Sequence, residues 1–265
     1  MFGWLKDRKR KAILEEPFPR EWENWLRANV FLYAGLNDEE RRRIHDHLRI
    51  FAAERDWEGC GGFEVTDEVK VTISGQASFL TLGRPFEELA HIRSILVYPE
   101  TYWAPNVEED DYGVVSEEIE DRDGEAWERG IVVLNWADVL KECRGRGKKG
   151  KNLVLHEMSH QMDLLDRVEA KAYPFEERET WEGWADTVLD EYETFCKRKA
   201  RKGVLDPYGA EDDREFFAVA TEAFFLRALE LRKERPELYL VLRDYYRQDP
   251  AARGARQQGS KGARE

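Results

Sequence analysis

Apolar positions along this chain recur mostly at helical spacing, interrupted by two compact apolar runs. From Arg20 to about Asn29, Trp22, Trp25 and Leu26 fall on one side of a predicted helix. A second helix is predicted after Asn37, a natural N-cap, with Ile44, Leu48, Ile50 and Phe51 spaced for burial. Residues 66–82 carry two patterns. Val69, Val71 and Ile73 alternate as in a strand, yet the segment also reads as an amphipathic helix ended by Gly83, and the helical reading is preferred. Ile92 to Tyr98 is predicted as a strand stopped by Pro99, and Ile131-Val132-Val133-Leu134 as a buried strand. Asn135 then looks like the N-cap of a short helix through Trp136, Val139 and Leu140. Residues 144–151 alternate Gly with Lys and Arg and read as a mobile connector. A helix follows from Asn152, and another over Glu176–Lys199 places Trp181, Trp184, Val188, Tyr192 and Phe195 on one face before Gly203 ends it. Asp206-Pro207-Tyr208-Gly209 is turn chemistry. Asp212 or Asp213 caps a helix running to about Lys233, and Pro236 opens a last one through Tyr246.

These elements fit one domain over residues 17–250, preceded by a charged lead-in (1–16) and followed by a Gly-, Arg- and Gln-rich tail (251–265) expected to be disordered. The carboxylate-rich stretch 106–130, with Arg122 and Arg129 as its positive charges, reads as a solvated loop holding a short hairpin at Val114-Val115 and Ile119. At 42% hydrophobic and 12% aromatic residues the chain is expected to fold around a substantial core. Its formal charge of −13 argues against a broad basic face for nucleic acid and gives no reason to expect attraction to anionic membranes. No apolar run is long enough to span a bilayer. Met1 to Lys11 runs into Glu15-Glu16-Pro17 without a sustained apolar segment, so no signal peptide is expected. Cys60, Cys143 and Cys196 are widely spaced, as isolated thiols in a reducing compartment would be, and a cytoplasmic location is expected.

One short run carries specific chemistry. His156 and His160 in His156-Glu157-Met158-Ser159-His160 are four residues apart, which places both imidazoles on one face of a helix, one turn apart. Glu157 projects about 100° round that helix, where it reaches a water on a shared metal without displacing a ligand. His45 and His47 face apart on their helix and His91 stands alone, so those three are read as structural or surface residues. A catalytic zinc needs a third protein ligand, and four carboxylates compete. Asp163 shares the helix face of His156 and suits orienting a ligating imidazole. Asp166 sits where some zinc peptidases place a ligand after a glycine turn, but the turn position here is Asp163. Glu222 is preferred, because Phe216 to Phe225 is apolar on almost every side and a carboxylate buried there needs a cation. Glu215 lies two turns earlier, too far to share an ion with Glu222, and the helix dipole alone explains it.

The chain resembles the Mlc titration factor A family of bacterial zinc-dependent peptidases. The resemblance rests on Ile95-Leu96-Val97-Tyr98-Pro99, on Gly130 to Trp136, on Asn152 to Asp163 and on Glu215 to Phe225, in that order; the N-terminal quarter matches only loosely. It implies a zincin-like α+β domain, mainly helical with a small mixed or antiparallel sheet. It implies one Zn2+ per chain held by His156, His160 and Glu222, with Glu157 as catalytic base. Tyr208 occupies a tyrosine position of the family, where its phenol either donates to the developing oxyanion or simply packs in the turn. The activity implied is hydrolysis of short peptides, aminopeptidase-like. Two other readings stay open: a regulatory protein that captures a transcriptional repressor of sugar uptake, and a zinc hydrolase acting on another amide or ester. The edge of the strand Ile131–Leu134 suits an extended peptide, and Asn135 either binds substrate backbone or serves only as an N-cap. The basic connector 144–151 and the Gly-Arg tail depart from the family pattern.

Overall fold

The computed structural model describes residues 2–100, 130–168, 178–197 and 203–253, with the side chains of residues 2–3, 164–168 and 178–182 outside that description. The charged lead-in forms a helix, α1 (Phe2–Glu15). Then come α2 (Arg20–Asn29) and α3 (Asp38–Glu54), the latter opened by a reciprocal capping box between Asn37 and Glu40. A short strand, β1 (Asp56–Gly59), precedes α4 (Asp67–Ala77), so the helical reading of that ambiguous segment holds as far as Ala77, while residues 78–83 form turns instead of carrying the helix to Gly83. Its dual pattern has a physical reason: Val69, Val71, Thr72, Ile73, Ser74, Gly75, Gln76 and Ala77 are all buried, so α4 is enclosed by neighbours rather than laid on a surface.

β2 (Ser94–Tyr98) and β3 (Ile131–Asn135) complete a three-stranded sheet of order β1-β2-β3. Both pairings are parallel, with Ile95 opposite Trp57 and Val132. The sheet is therefore not the mixed or antiparallel one expected. The reason lies in the connection: the chain from β1 to β2 passes through α4, and a crossover of that length returns the strand in the same direction. The expected hairpin near residues 114–119 lies outside the described residues.

Beyond the sheet come α5 (Trp136–Cys143), α6 (Leu153–Val168), α7 (Arg178–Lys197), α8 (Asp213–Leu226), α9 (Ala228–Glu234) and α10 (Pro236–Tyr246). The single helix expected from Asp212 to Lys233 is broken at Arg227, whose backbone leaves helical geometry (φ −132°, ψ 34°). Its guanidinium donates to the Val204 carbonyl at 2.6 Å, tying the break to the loop before Asp206. The core is aromatic around α8 and α10: Phe216, Phe224, Tyr239, Tyr245 and Tyr246 are all fully buried. Thr221 and Tyr246 share a buried 2.7 Å hydrogen bond there. α6 packs most extensively on α8, and this pair frames the candidate site.

Candidate metal centre

The N-terminus of α6 is fixed by three side chains from three directions. The Asn152 side chain accepts from the Leu155 N–H at 3.0 Å, Glu142 of α5 accepts from the Leu153 N–H at 2.7 Å, and Glu222 of α8 accepts from the Asn152 N–H at 2.7 Å. Two carboxylates at the positive end of a helix are favourably placed. α5 is itself aimed by Asn135, whose side chain accepts from the Asp138 N–H at 2.9 Å, so the last residue of β3 sets the course of the chain toward α6. That is the N-cap read from the sequence, and Asn135 also lines the cleft described below.

This scaffold brings His156 and His160 together with their Nε2 atoms 3.2 Å apart. The third group on that side is Glu215, with one oxygen 3.0 Å from His156 Nε2 and the other 3.2 Å from His160 Nε2. All three residues are buried, and among the described residues they are the group of His, Cys, Asp and Glu donors that converges as a metal site would require. Glu222 lies elsewhere. Its Oε2 is 3.6 Å from His156 Nδ1, the opposite ring nitrogen, and 3.8 Å from Lys151 Nζ. The donor set that converges thus differs from the expected one, with Glu215 where Glu222 was expected. One Glu222 oxygen accepts from the Asn152 N–H, while its Oε2, buried and without a hydrogen bond, has the His156 ring and Lys151 as its nearest opposite charges. Glu215 does sit in the first turn of α8, where the dipole favours a carboxylate, but with Asp212 capping the helix by accepting from the Glu215 N–H at 2.7 Å, the Glu215 carboxylate also reaches both imidazoles of α6. Asp163 is half-buried on α6 outside the converging group, and the Asp166 side chain lies outside the described residues.

The spacing fits an ion. A zinc about 2.0–2.1 Å from each of three tetrahedral N or O donors holds those donors roughly 3.3 Å apart. The two Nε2 atoms, 3.2 Å apart, match that spacing, the Glu215 oxygens approach them one each (Oε2 at 3.0 Å from His156, Oε1 at 3.2 Å from His160), and one ligand atom from each residue lies within 4.8 Å of the other two. Oε2 of Glu215 is buried and, despite its closeness to the His156 ring, receives no aligned hydrogen bond. The electrostatics agree. Burial opposes a charge on His156, but Glu215 and Glu222, with the field of Glu157, outweigh it and push the imidazole up to about 10. Burial likewise opposes ionisation of Glu215, but the two imidazoles hold it down at about 2. The pocket demands positive charge.

A cleft of about 270 Å³ reaches this group through His156, and is lined further by Glu157, Glu222, Tyr208, Lys151 and Asn135 among others. Glu157 therefore faces the same space as the imidazole beside it. Tyr208, 42% exposed, stands with its ring centroid 6.1 Å from that of His156. Its phenol is pushed up to about 12, first by burial and then by the field of Glu215. Asp206 accepts from the Tyr208 N–H at 3.1 Å and from Lys148 Nζ at 2.7 Å, and Lys151 Nζ sits 5.3 Å from the Tyr208 ring centroid. The basic connector, read from sequence as loose, thus ties the tyrosine turn to the metal helix. Lys149 adds an ion pair with Glu230 at 2.6 Å, and Gly150 takes φ +87°, a left-handed conformation where a Cβ would also meet Arg227 at 2.8 Å.

A family model described as glucose-regulated metallo-peptidase M90 matches residues 4–247. The chain belongs to that family. Similar proteins bear out the resemblance read from the motifs. The Mlc titration factor A of Pectobacterium atrosepticum is 30% identical over 244 residues, 90% of this chain and 91% of that protein. The corresponding protein of Klebsiella pneumoniae is 30% identical over 240 residues, covering 88% and 87%. An uncharacterised protein of Synechocystis sp. is 32% identical over 250 residues, covering 93% and 90%. Membership of a metallo-peptidase family and a buried cluster of two imidazoles and a carboxylate point to the same chemistry.

Proposed function

We propose that this M90 protein is a zinc-dependent peptidase with His156, His160 and Glu215 as metal ligands and Glu157 as general base. The observation that carries the reading is the mutual approach of two Nε2 atoms and one carboxylate to within 3.0–3.2 Å beside a cleft that Glu157 lines. Two nitrogens and one oxygen form a donor set suited to catalytic zinc, which keeps a further position for water. When bound, the ion supplies Lewis acidity and a water acidified toward neutrality. Glu157, lining the cleft beside His156, would take the proton of a water attacking the peptide carbonyl. Tyr208 donates a hydrogen bond to the developing oxyanion. As the carbon–nitrogen bond breaks, Glu157 returns the proton to the leaving amine. Glu222, on the Nδ1 side of His156, orients the imidazole in this scheme, a role that normally falls to a carboxylate behind a ligating histidine.

Among the described residues β3 pairs on one side only, with β2, and Val133 is 45% exposed. That free edge suits an extended peptide adding as a further strand. Aminopeptidase-like action on short peptides in the cytoplasm is the form of the activity proposed. Among the described residues no helix is long and apolar enough to cross a membrane. The relatives' name, Mlc titration factor A, favours a second reading, capture of a transcriptional repressor, in which the metal site is secondary. Replacing Glu157 by Gln separates the two. The variant is expected to keep stoichiometric zinc, lose peptide hydrolysis and keep any repressor binding; peptidase activity surviving in Glu157→Gln would reject the mechanism.

A further inference from the structure

The net charge of −13 conceals a sharp local reversal. Five of the six residues from Lys6 to Lys11 are Lys or Arg, with Asp7 between them. α1 carries this run, and its C-terminal half is bound to the body. Arg10 is buried against Glu54 at 2.7 Å and Glu87 at 2.6 Å, and Arg49 donates to the Leu14 and Glu16 carbonyls at 3.5 and 2.7 Å. The remaining cations, Lys6, Arg8, Lys9 and Lys11, are exposed. So are Trp4 (65%) and Leu5 (54%), the most exposed large apolar side chains among the described residues. At about 100° per residue, Trp4, Leu5, Arg8, Lys9 and Lys11 share the face of α1 opposite the buried Arg10. The docked side of the helix therefore fixes its outward side. Asp7, exposed, flanks that face beside Lys11, and Glu15 brings an acid to its far end, where it lies 3.8 Å from Lys11.

We infer that this face of α1 is a membrane-surface contact that takes the interface of an anionic lipid bilayer. An aromatic and an aliphatic side chain interleaved with lysines and arginines on one helical face is the arrangement that settles at the headgroup boundary, the cations meeting lipid phosphates and the apolar groups entering below them. Trp is the residue best suited to that boundary. Nucleic acid fits less well: the acidic body repels a long polyanion, and Trp4 and Leu5 would stay exposed. The contact is peripheral, held by a few side chains, and its strength must fall with salt.

The test uses the full chain and co-sedimentation with vesicles of phosphatidylcholine alone or with about a quarter phosphatidylglycerol. Binding to the anionic vesicles at low salt, with little to the neutral ones, is the expected result. Each exposed cation contributes roughly fivefold near an anionic surface, so Lys9→Glu is expected to weaken binding more than tenfold. The double variant Trp4→Ala/Leu5→Ala is expected to weaken it about tenfold while leaving the melting temperature and peptide hydrolysis unchanged. Absence of vesicle binding at low salt, equal binding to neutral vesicles, or anionic binding that both variants retain would overturn the inference. So would preferential binding to duplex DNA, or self-association in sedimentation equilibrium that the double variant abolishes.

Discussion

The most discriminating perturbation concerns the two glutamates of α8, because they sit on opposite sides of one imidazole. Glu215 faces Nε2 of both histidines and Glu222 faces Nδ1 of His156 alone. Gln at position 222 retains an oxygen to accept from the Asn152 N–H and removes only the charge directed at His156 and Lys151. Loss of such an orienting carboxylate lowers metal affinity roughly 10- to 100-fold. Metal that binds only the folded state adds stability as RT ln(1 + [L]/Kd), about 4.1 kcal/mol at a thousandfold excess over Kd. Glu222→Gln should therefore forfeit about 1.4–2.7 kcal/mol of that increment, a fall of roughly 3–11 °C in the zinc-dependent rise in Tm. Glu215→Gln exchanges an anionic ligand for a weak, neutral amide oxygen, so its zinc-dependent rise should be lost at the same concentration. The assay is differential scanning fluorimetry across a zinc titration of chelator-treated protein, with elemental analysis of each variant. Stoichiometric, tight zinc in Glu215→Gln together with its loss in Glu222→Gln would refute the assignment and restore Glu222 as the ligand.

Tyr208→Phe keeps the ring beside His156 and deletes the donor, so kcat should fall about 100-fold with KM little changed; steady-state kinetics on a short peptide will show whether the loss is in kcat. His47, partly buried, bonded to Thr81 at 3.0 Å and packed on Phe86, is held down at about 4 by burial and then by Arg43. Its folded pKa lies below the unfolded 6.5, so the folded state binds fewer protons between those values. The resulting stability is full above about pH 6.5 and is lost as pH falls toward 4, by about 2–3 kcal/mol. Urea unfolding of His47→Gln from pH 7 to 4 should give a correspondingly flatter profile than the parent, and identical slopes would refute it. At Gly83 a Cβ would stand 2.4 and 2.5 Å from the Tyr246 and Arg247 carbonyl oxygens. Those are backbone atoms that cannot swing aside, so Gly83→Ala should cost at least about 2 kcal/mol in a urea melt.

Features encoded within a turn or two of chain were legible in the sequence. The Asn37 and Asn135 caps, the helix beginning beside Asn152 and the pairing of His156 with His160 all follow from spacing alone. Strand β1, Asp56-Trp57-Glu58-Gly59, was not: four residues with no alternation become a strand because β2 lies alongside to pair with them. The parallel sheet is partly implied by the helical pattern within residues 66–82. If residues 66–82 are helical, the connection to the next strand is a crossover, and a crossover implies parallel neighbours.

The third donor shows where local reasoning ends. Glu215 and Glu222 are seven residues apart, nearly two full turns, so both project from the same side of α8 toward α6. Sequence ranks them by how apolar their surroundings are, which favours Glu222, and indeed it is the more deeply buried, at 1% against 8%. Burial, however, measures the cost of a charge and is silent on which partner offsets it. A helix N-terminus, a lysine and the back of an imidazole offset Glu222; the ring nitrogens that face each other are left to Glu215. Which glutamate meets which side of His156 depends on how far α8 is displaced along α6, a distance set by the Phe216–Phe225 packing and by the caps at Asp212 and Asn152. A slide of α8 by about two turns would carry Glu222 to where Glu215 stands without changing any local pattern, and so only the assembled helix pair can decide between them.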